Sequence, residues 1–139
     1  MEIMRLITGG RYGGKLDYAI KTYGIREEEV LDMAALPAPD IRKKMDGYDN
    51  LYHLESFVRS ALEYGLDPAR IIEEYIMLHP DCIIICDEIG SGIIPEAAED
   101  DEWREITGRI MCTLAKRAGG LTRVNFGMAE ELRICSGLT

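Results

Sequence analysis

The chain has 139 residues, with 16 Lys and Arg against 25 Asp and Glu, a formal net charge of −9. The length suits a single domain over 1–139, and the acidic balance excludes a broad nucleic-acid footprint, which needs clustered basic side chains. No run of 18 apolar residues is present to insert into a membrane and no signal peptide is recognised, so a cytoplasmic protein is expected.

In chain order, Ile3–Thr8 is short and apolar and runs into glycine, which reads as a first strand. Lys15–Tyr23 reads as a helix, with Leu16, Ala19, Ile20 and Tyr23 on one side and Gly24 as its stop. Glu29–Ala34 reads as a second strand, and Pro37 and Pro39 as a loop. Asn50–Tyr64 is expected to be one helix with Leu51, Leu54, Phe57, Val58, Ala61 and Leu62 along its apolar face. Asp67-Pro68 opens the next helix with a capping residue and a Pro at the first position.

Asp81–Glu88, "DCIIICDE", is a continuous apolar run ending in two acids, the pattern of a central parallel strand covered on both faces. Gly90–Pro95 reads as a loop, Asp100–Ala118 as a helix, Leu121–Phe126 as a last strand and the remainder as a short tail. Strands alternating with helices predict an α/β fold with a mainly parallel sheet flanked by helices. Cys82, Cys86, Cys112 and Cys135 contain no C-x-x-C pair, and neither His53 nor His79 stands at a zinc-ligand spacing, so reduced thiols are expected.

Two motifs carry chemistry. Gly9-Gly10-Arg11-Tyr12-Gly13-Gly14-Lys15 follows a strand, opens a helix and spells G-x-x-x-x-G-K. Such a loop turns backbone N–H groups and a helix N-terminus toward phosphate, and its Lys reaches the β- and γ-phosphates. Arg11 is placed to add a charge-assisted phosphate contact. Leu16 stands where a Ser or Thr would hold Mg²⁺. The second motif is Ile83–Pro95, "IIICDEIGSGIIP", whose Asp87 and Glu88 fall at the carboxyl edge of the sheet, where ligands bind in open α/β folds and where an acid must sit to reach Mg²⁺.

"LITGGRYGGK" and "CDEIGSGIIPE", together with "WREITGR" and "VNFGMAEELR", resemble the adenosylcobinamide kinase / adenosylcobinamide-phosphate guanylyltransferase family of cobalamin biosynthesis. The resemblance implies a three-layer, RecA-like P-loop NTPase fold, binding of GTP or ATP with Mg²⁺, phosphoryl transfer to adenosylcobinamide, and a homo-oligomer, with trimers in the family. It implies nucleotide contacts along Gly9–Leu16, catalytic roles for Lys15 and Glu88, metal binding by Asp87 and Glu88 directly or through water, and a phosphate or subunit contact at Arg104. The family's second step passes through a guanylylated His, and the comparable stretch "DIRKKMDGYD" has none. Met111-Cys112 also replace the family's Asn-Gln. The rival expectation is a degenerate nucleotide-binding paralogue serving as a regulatory or interaction module.

Overall fold

The computed structural model describes residues 3–89 and 98–133. They form strands β1 (Arg5–Gly9), β2 (Val30–Asp32), β3 (Asn50–Tyr52), β4 (Ile83–Asp87), β5 (Gly120–Asn125) and β6 (Met128–Arg133), with helices α1 (Lys15–Tyr23), α2 (Ala38–Lys44), α3 (Leu54–Glu63), α4 (Pro68–Leu78) and α5 (Ala98–Arg117). The strands make one sheet in the order β2-β3-β4-β1-β5-β6. All pairings are parallel except β5 with β6. The α/β architecture with a mostly parallel, helix-flanked sheet is therefore as the alternation of segments predicts. None of the described helices is long and apolar enough to cross a membrane. The Gly90–Pro95 loop lies outside the described residues, as does Cys135.

Three segments differ from the sequence expectation. Pro37 and Pro39 do not punctuate a loop; they sit at the N-cap and in the first turn of α2. There a missing N–H costs nothing, because the first-turn amides have no intrahelical partner. The Ala38 amide is instead satisfied by the Ser60 hydroxyl at 2.8 Å. Asn50–Tyr52 is a strand rather than the start of a helix: Leu51 faces Leu31 on one side and Ile84 on the other, and α3 begins only at Leu54. The expected tail is β6, paired antiparallel with β5 around a tight turn at Phe126-Gly127.

Alternate residues of β1 and β4 enter two cores, as pleating requires. Leu6, Ile84 and Cys86 join α2, α3, α4 and α5 through Ile41, Phe57, Val58, Ile72 and Leu114. Ile7, Ile83, Ile85 and Val124 meet Ala19 of α1 on the opposite face. The chain leaving β1 thus crosses one face of the sheet and the chain leaving β4 crosses the other. Neighbouring strands whose connections diverge in this way open a crevice at their carboxyl ends. The register pairs Gly9 with Asp87, which sets the start of the glycine loop beside the acidic end of β4.

Candidate functional site

The glycine loop turns as it does because of its contacts with β5. Gly9 has φ +152, and a Cβ there would stand 1.9 Å from the Val124 carbonyl oxygen, so no side chain fits. The Gly10 amide donates to Asn125 Oδ1 at 2.8 Å, and the Gly127 amide donates to the Gly13 carbonyl at 2.9 Å. Gly14 caps α1 in the left-handed region at φ 91. Among the described residues the amides of Arg11, Tyr12, Gly14, Lys15 and Leu16 have no hydrogen-bond partner. Unpaired N–H groups around a helix N-terminus are the physical basis of an anion site.

Lys15 is 2% exposed. Its Nζ donates to the Gly10 carbonyl at 2.8 Å and lies 2.6 Å from Asp87 Oδ1. A buried ammonium needs such partners, because desolvation of an unpaired charge is costly. The pair ties the head of the loop to the end of β4, and it fulfils the expectation that the two motifs share one sheet edge.

Asp87 and Glu88 part company. The Asp87 side chain faces Lys15, and its amide donates to Glu55 Oε1 at 2.8 Å. The Glu88 amide continues the ladder to the Gly9 carbonyl at 2.8 Å, but its carboxylate bonds Arg123 Nε of β5 at 2.8 Å. The two neighbouring acids therefore have different partners, and Glu88 is engaged by a cation.

Beside Asp87 the structure adds two residues. Glu55, in the first turn of α3, is 7% exposed. Its Oε2 accepts from the Ser56 hydroxyl at 3.0 Å, and its backbone carbonyl accepts from Trp103 Nε1 at 2.8 Å. His53 lies at the end of β3 with φ 63, stacks on Tyr52 and bonds Asp32 Oδ1 through Nδ1 at 2.8 Å. One ligand atom each of His53, Glu55 and Asp87 fall within 4.8 Å of one another. Neither His53 nor Glu55 belongs to a motif along the chain. The available signal is a carboxylate between Leu54 and Phe57, two residues that face the core.

The remaining predicted residues are placed as follows. Leu16 packs against the Ile7, Ala19, Ile85 and Val124 cluster, so its side chain serves the core under α1. Arg11 and Tyr12 form the outer part of the loop, with the Arg11 Cζ 5.1 Å from the Tyr12 ring centre. Gly13 closes a turn onto the Gly10 carbonyl at 3.0 Å. Arg104 stands on α5, and its Nε is buried with no hydrogen-bond partner among the described residues. His79 is away from this edge, at the end of α4, stacked on Tyr75 and bonded to Asp49.

Burial raises the Cys86 thiol far above its ordinary range, with Glu55 adding to the effect, so the sulfur beside the site is a neutral, poor nucleophile. Tyr52, under His53, is also raised, first by burial and then by Asp87, Asp32 and Glu55. No protein-family model matches the sequence, and a search of curated proteins finds no significant similarity.

Proposed function

We propose that the chain is a nucleotide-binding phosphotransferase of the adenosylcobinamide kinase type. The observation that carries the reading is the buried Lys15–Asp87 pair, which joins a glycine-rich strand-to-helix loop to the acidic end of the adjacent parallel strand. In this reading GTP or ATP lays its phosphates along Gly9–Leu16, against the open amides of the loop. Lys15 turns from the Gly10 carbonyl toward the β- and γ-phosphate oxygens and neutralises the charge that grows on them during transfer. Arg11 supports the phosphates from the outer side of the loop.

Asp87 and Glu55 offer hard carboxylate oxygens on two different elements, a donor set that suits Mg²⁺ with retained water. Glu88 is the weaker candidate ligand, because Arg123 already holds its carboxylate. Asp87 and Glu55 would hold a bound Mg²⁺, which would supply positive charge against the phosphates. The protein's own contribution is positioning and fixed charge, which is most of what phosphoryl transfer requires. The acceptor, by resemblance, is the side-arm hydroxyl of adenosylcobinamide, and the resemblance also supports a homo-oligomer, such as a trimer.

A second reading has its own support. Leu16 is committed to the core, and no His falls within residues 40–49, so the chain would bind a nucleotide without turning it over and act as a regulatory or interaction module. Thermal melting with GTP or ATP and Mg²⁺ tests both. Ligand at 100 times Kd adds about 2.7 kcal/mol of stability. In Lys15→Ala that ligand-induced rise, measured against the variant's own melt, is expected to vanish. No rise with any nucleotide up to millimolar concentration refutes both readings. A rise without phosphate transfer to adenosylcobinamide selects the second. Incubation with labelled GTP is expected to leave no covalent label on the protein, and a label on His53 would revive the guanylyl step.

A further inference from the structure

Two aromatic side chains at the glycine loop contradict their own backbone. Tyr12 has φ 63 and is 89% exposed, and Phe126 has φ 55 and is 91% exposed. Left-handed backbone favours Gly, Asn or Asp, and for a bulky residue it is a genuine outlier. Tyr12 is the third residue of the turn closed by the Gly13 amide on the Gly10 carbonyl, where glycine or asparagine is the usual occupant of a positive-φ position. Phe126 is the first of two central residues in the β5–β6 turn, followed by Gly127 at φ 74. Two-residue hairpins of this kind prefer Asn-Gly or Asp-Gly.

Neither ring recovers the cost by burial. Strain at a non-Gly position whose ring stays in solvent points to a function at that position. The two turns are also joined, since the Gly127 amide donates to the Gly13 carbonyl at 2.9 Å, one residue from each aromatic. Two exposed rings therefore flank the same loop whose unpaired amides form the proposed phosphate cradle.

We infer that Tyr12 and Phe126 form a stacking platform for the base of the nucleotide whose phosphates the loop receives. This rests on the proposed nucleotide site and adds the part of the ligand that phosphate chemistry leaves unread. Every base has a π-face, so such a platform gives affinity with little choice between adenine and guanine. Arg11, already over the Tyr12 ring, keeps that ring beside the loop.

Calorimetric titration with ATP, GTP and inorganic tripolyphosphate, each with Mg²⁺, tests the inference in the full chain. Tyr12→Asn and Phe126→Asn suit the left-handed backbone, so each is expected to melt at the same temperature as the parent or higher. Each is expected to weaken ATP and GTP about tenfold and to leave tripolyphosphate unchanged, whereas Phe126→Trp keeps nucleotide affinity. Parent protein that binds tripolyphosphate as tightly as ATP and GTP overturns the platform while leaving the phosphate cradle standing. Equal losses for all three ligands in the Asn variants overturn it too. Parent protein that binds none of the three sinks the nucleotide reading and the platform with it. If the Asn variants instead change the sedimentation coefficient and leave nucleotide affinity intact, the rings are a self-association surface and the inference fails.

Discussion

Replacing Lys15 by Met removes an ammonium that is 2% exposed and stands 2.6 Å from an Asp87 side chain that is 14% exposed. With an effective dielectric constant of about 20, the direct attraction at that distance is roughly 6 kcal/mol, offset in large part by the desolvation of both groups. Removing one member of a buried pair costs about 3–5 kcal/mol, because the other stays behind uncompensated. Asp87 keeps some contact with solvent, which places the expected loss near the lower end, about 3 kcal/mol. In a domain of this size that corresponds to a fall in Tm of about 10 °C.

Urea titration followed by far-UV circular dichroism and by the fluorescence of Trp103, the single tryptophan, measures it. The double variant Lys15→Met/Asp87→Asn leaves neither charge stranded. It is expected to be about 2 kcal/mol more stable than the sum of the single losses predicts. Single losses that add to within about 0.5 kcal/mol would refute the pairing, and with it the link between the loop and β4.

Other consequences are as direct. Gly9→Ala forces a methyl onto the Val124 carbonyl and is expected to cost about 4 kcal/mol or more, whereas Gly24→Ala, which meets no atom within 4 Å, costs only about 1 kcal/mol from its left-handed backbone; equal losses in urea titrations would contradict the close approach of loop and β5. Asp67→Ala removes the acceptor for the Arg70 amide at the start of α4 and is expected to lower stability by about 1 kcal/mol, measured the same way. Maleimide labelling at pH 8 followed by peptide mapping is expected to modify exposed Cys112 well before buried Cys82 and Cys86; early modification of Cys86 would show that β4 opens. Burial pushes the Cys82 thiol from its ordinary 9.0 up to about 12. The unfolded chain then loses that proton first, so the contribution of Cys82 to stability is complete below pH 9 and declines as pH rises toward 12. Removing this group with Cys82→Ala should flatten that decline.

Much of the architecture was legible because its signals are local. The apolar run before Gly9, the acids ending β4 and the Asp67-Pro68 helix start each need only a few residues to be read. The misread segments are those where two local signals compete. Leu51 keeps helical spacing with Leu54, and a strand of only three residues has no room to show alternation. All six positions of β6 are exposed, so no hydrophobic period marks it as a strand. Pro37 and Pro39 break a helix interior but suit a helix start, and the capping hydroxyl at Ser60 is 22 residues from the amide it satisfies.

At the site, the two motifs are marked by their local sequence but their neighbours are not. Glu55 reaches Asp87 across 32 positions, and Arg123 reaches Glu88 across 35, distances over which a side chain's partner leaves no pattern. Leu16 shows the same limit from the other side. Its identity announces a lost hydroxyl, and only the packing under α1 shows what the residue does instead.

The hydrogen bond from the Gly10 amide to Asn125 spans 115 positions. The loop is therefore synthesised well before the residues that shape it. Since a domain folds as a unit once its partners are present, the nascent chain carries the glycine loop without its brace until Val124–Gly127 emerges. The braced form of the loop therefore exists only once β5 and its turn have been made, and its contacts of long sequence separation place its completion late in folding.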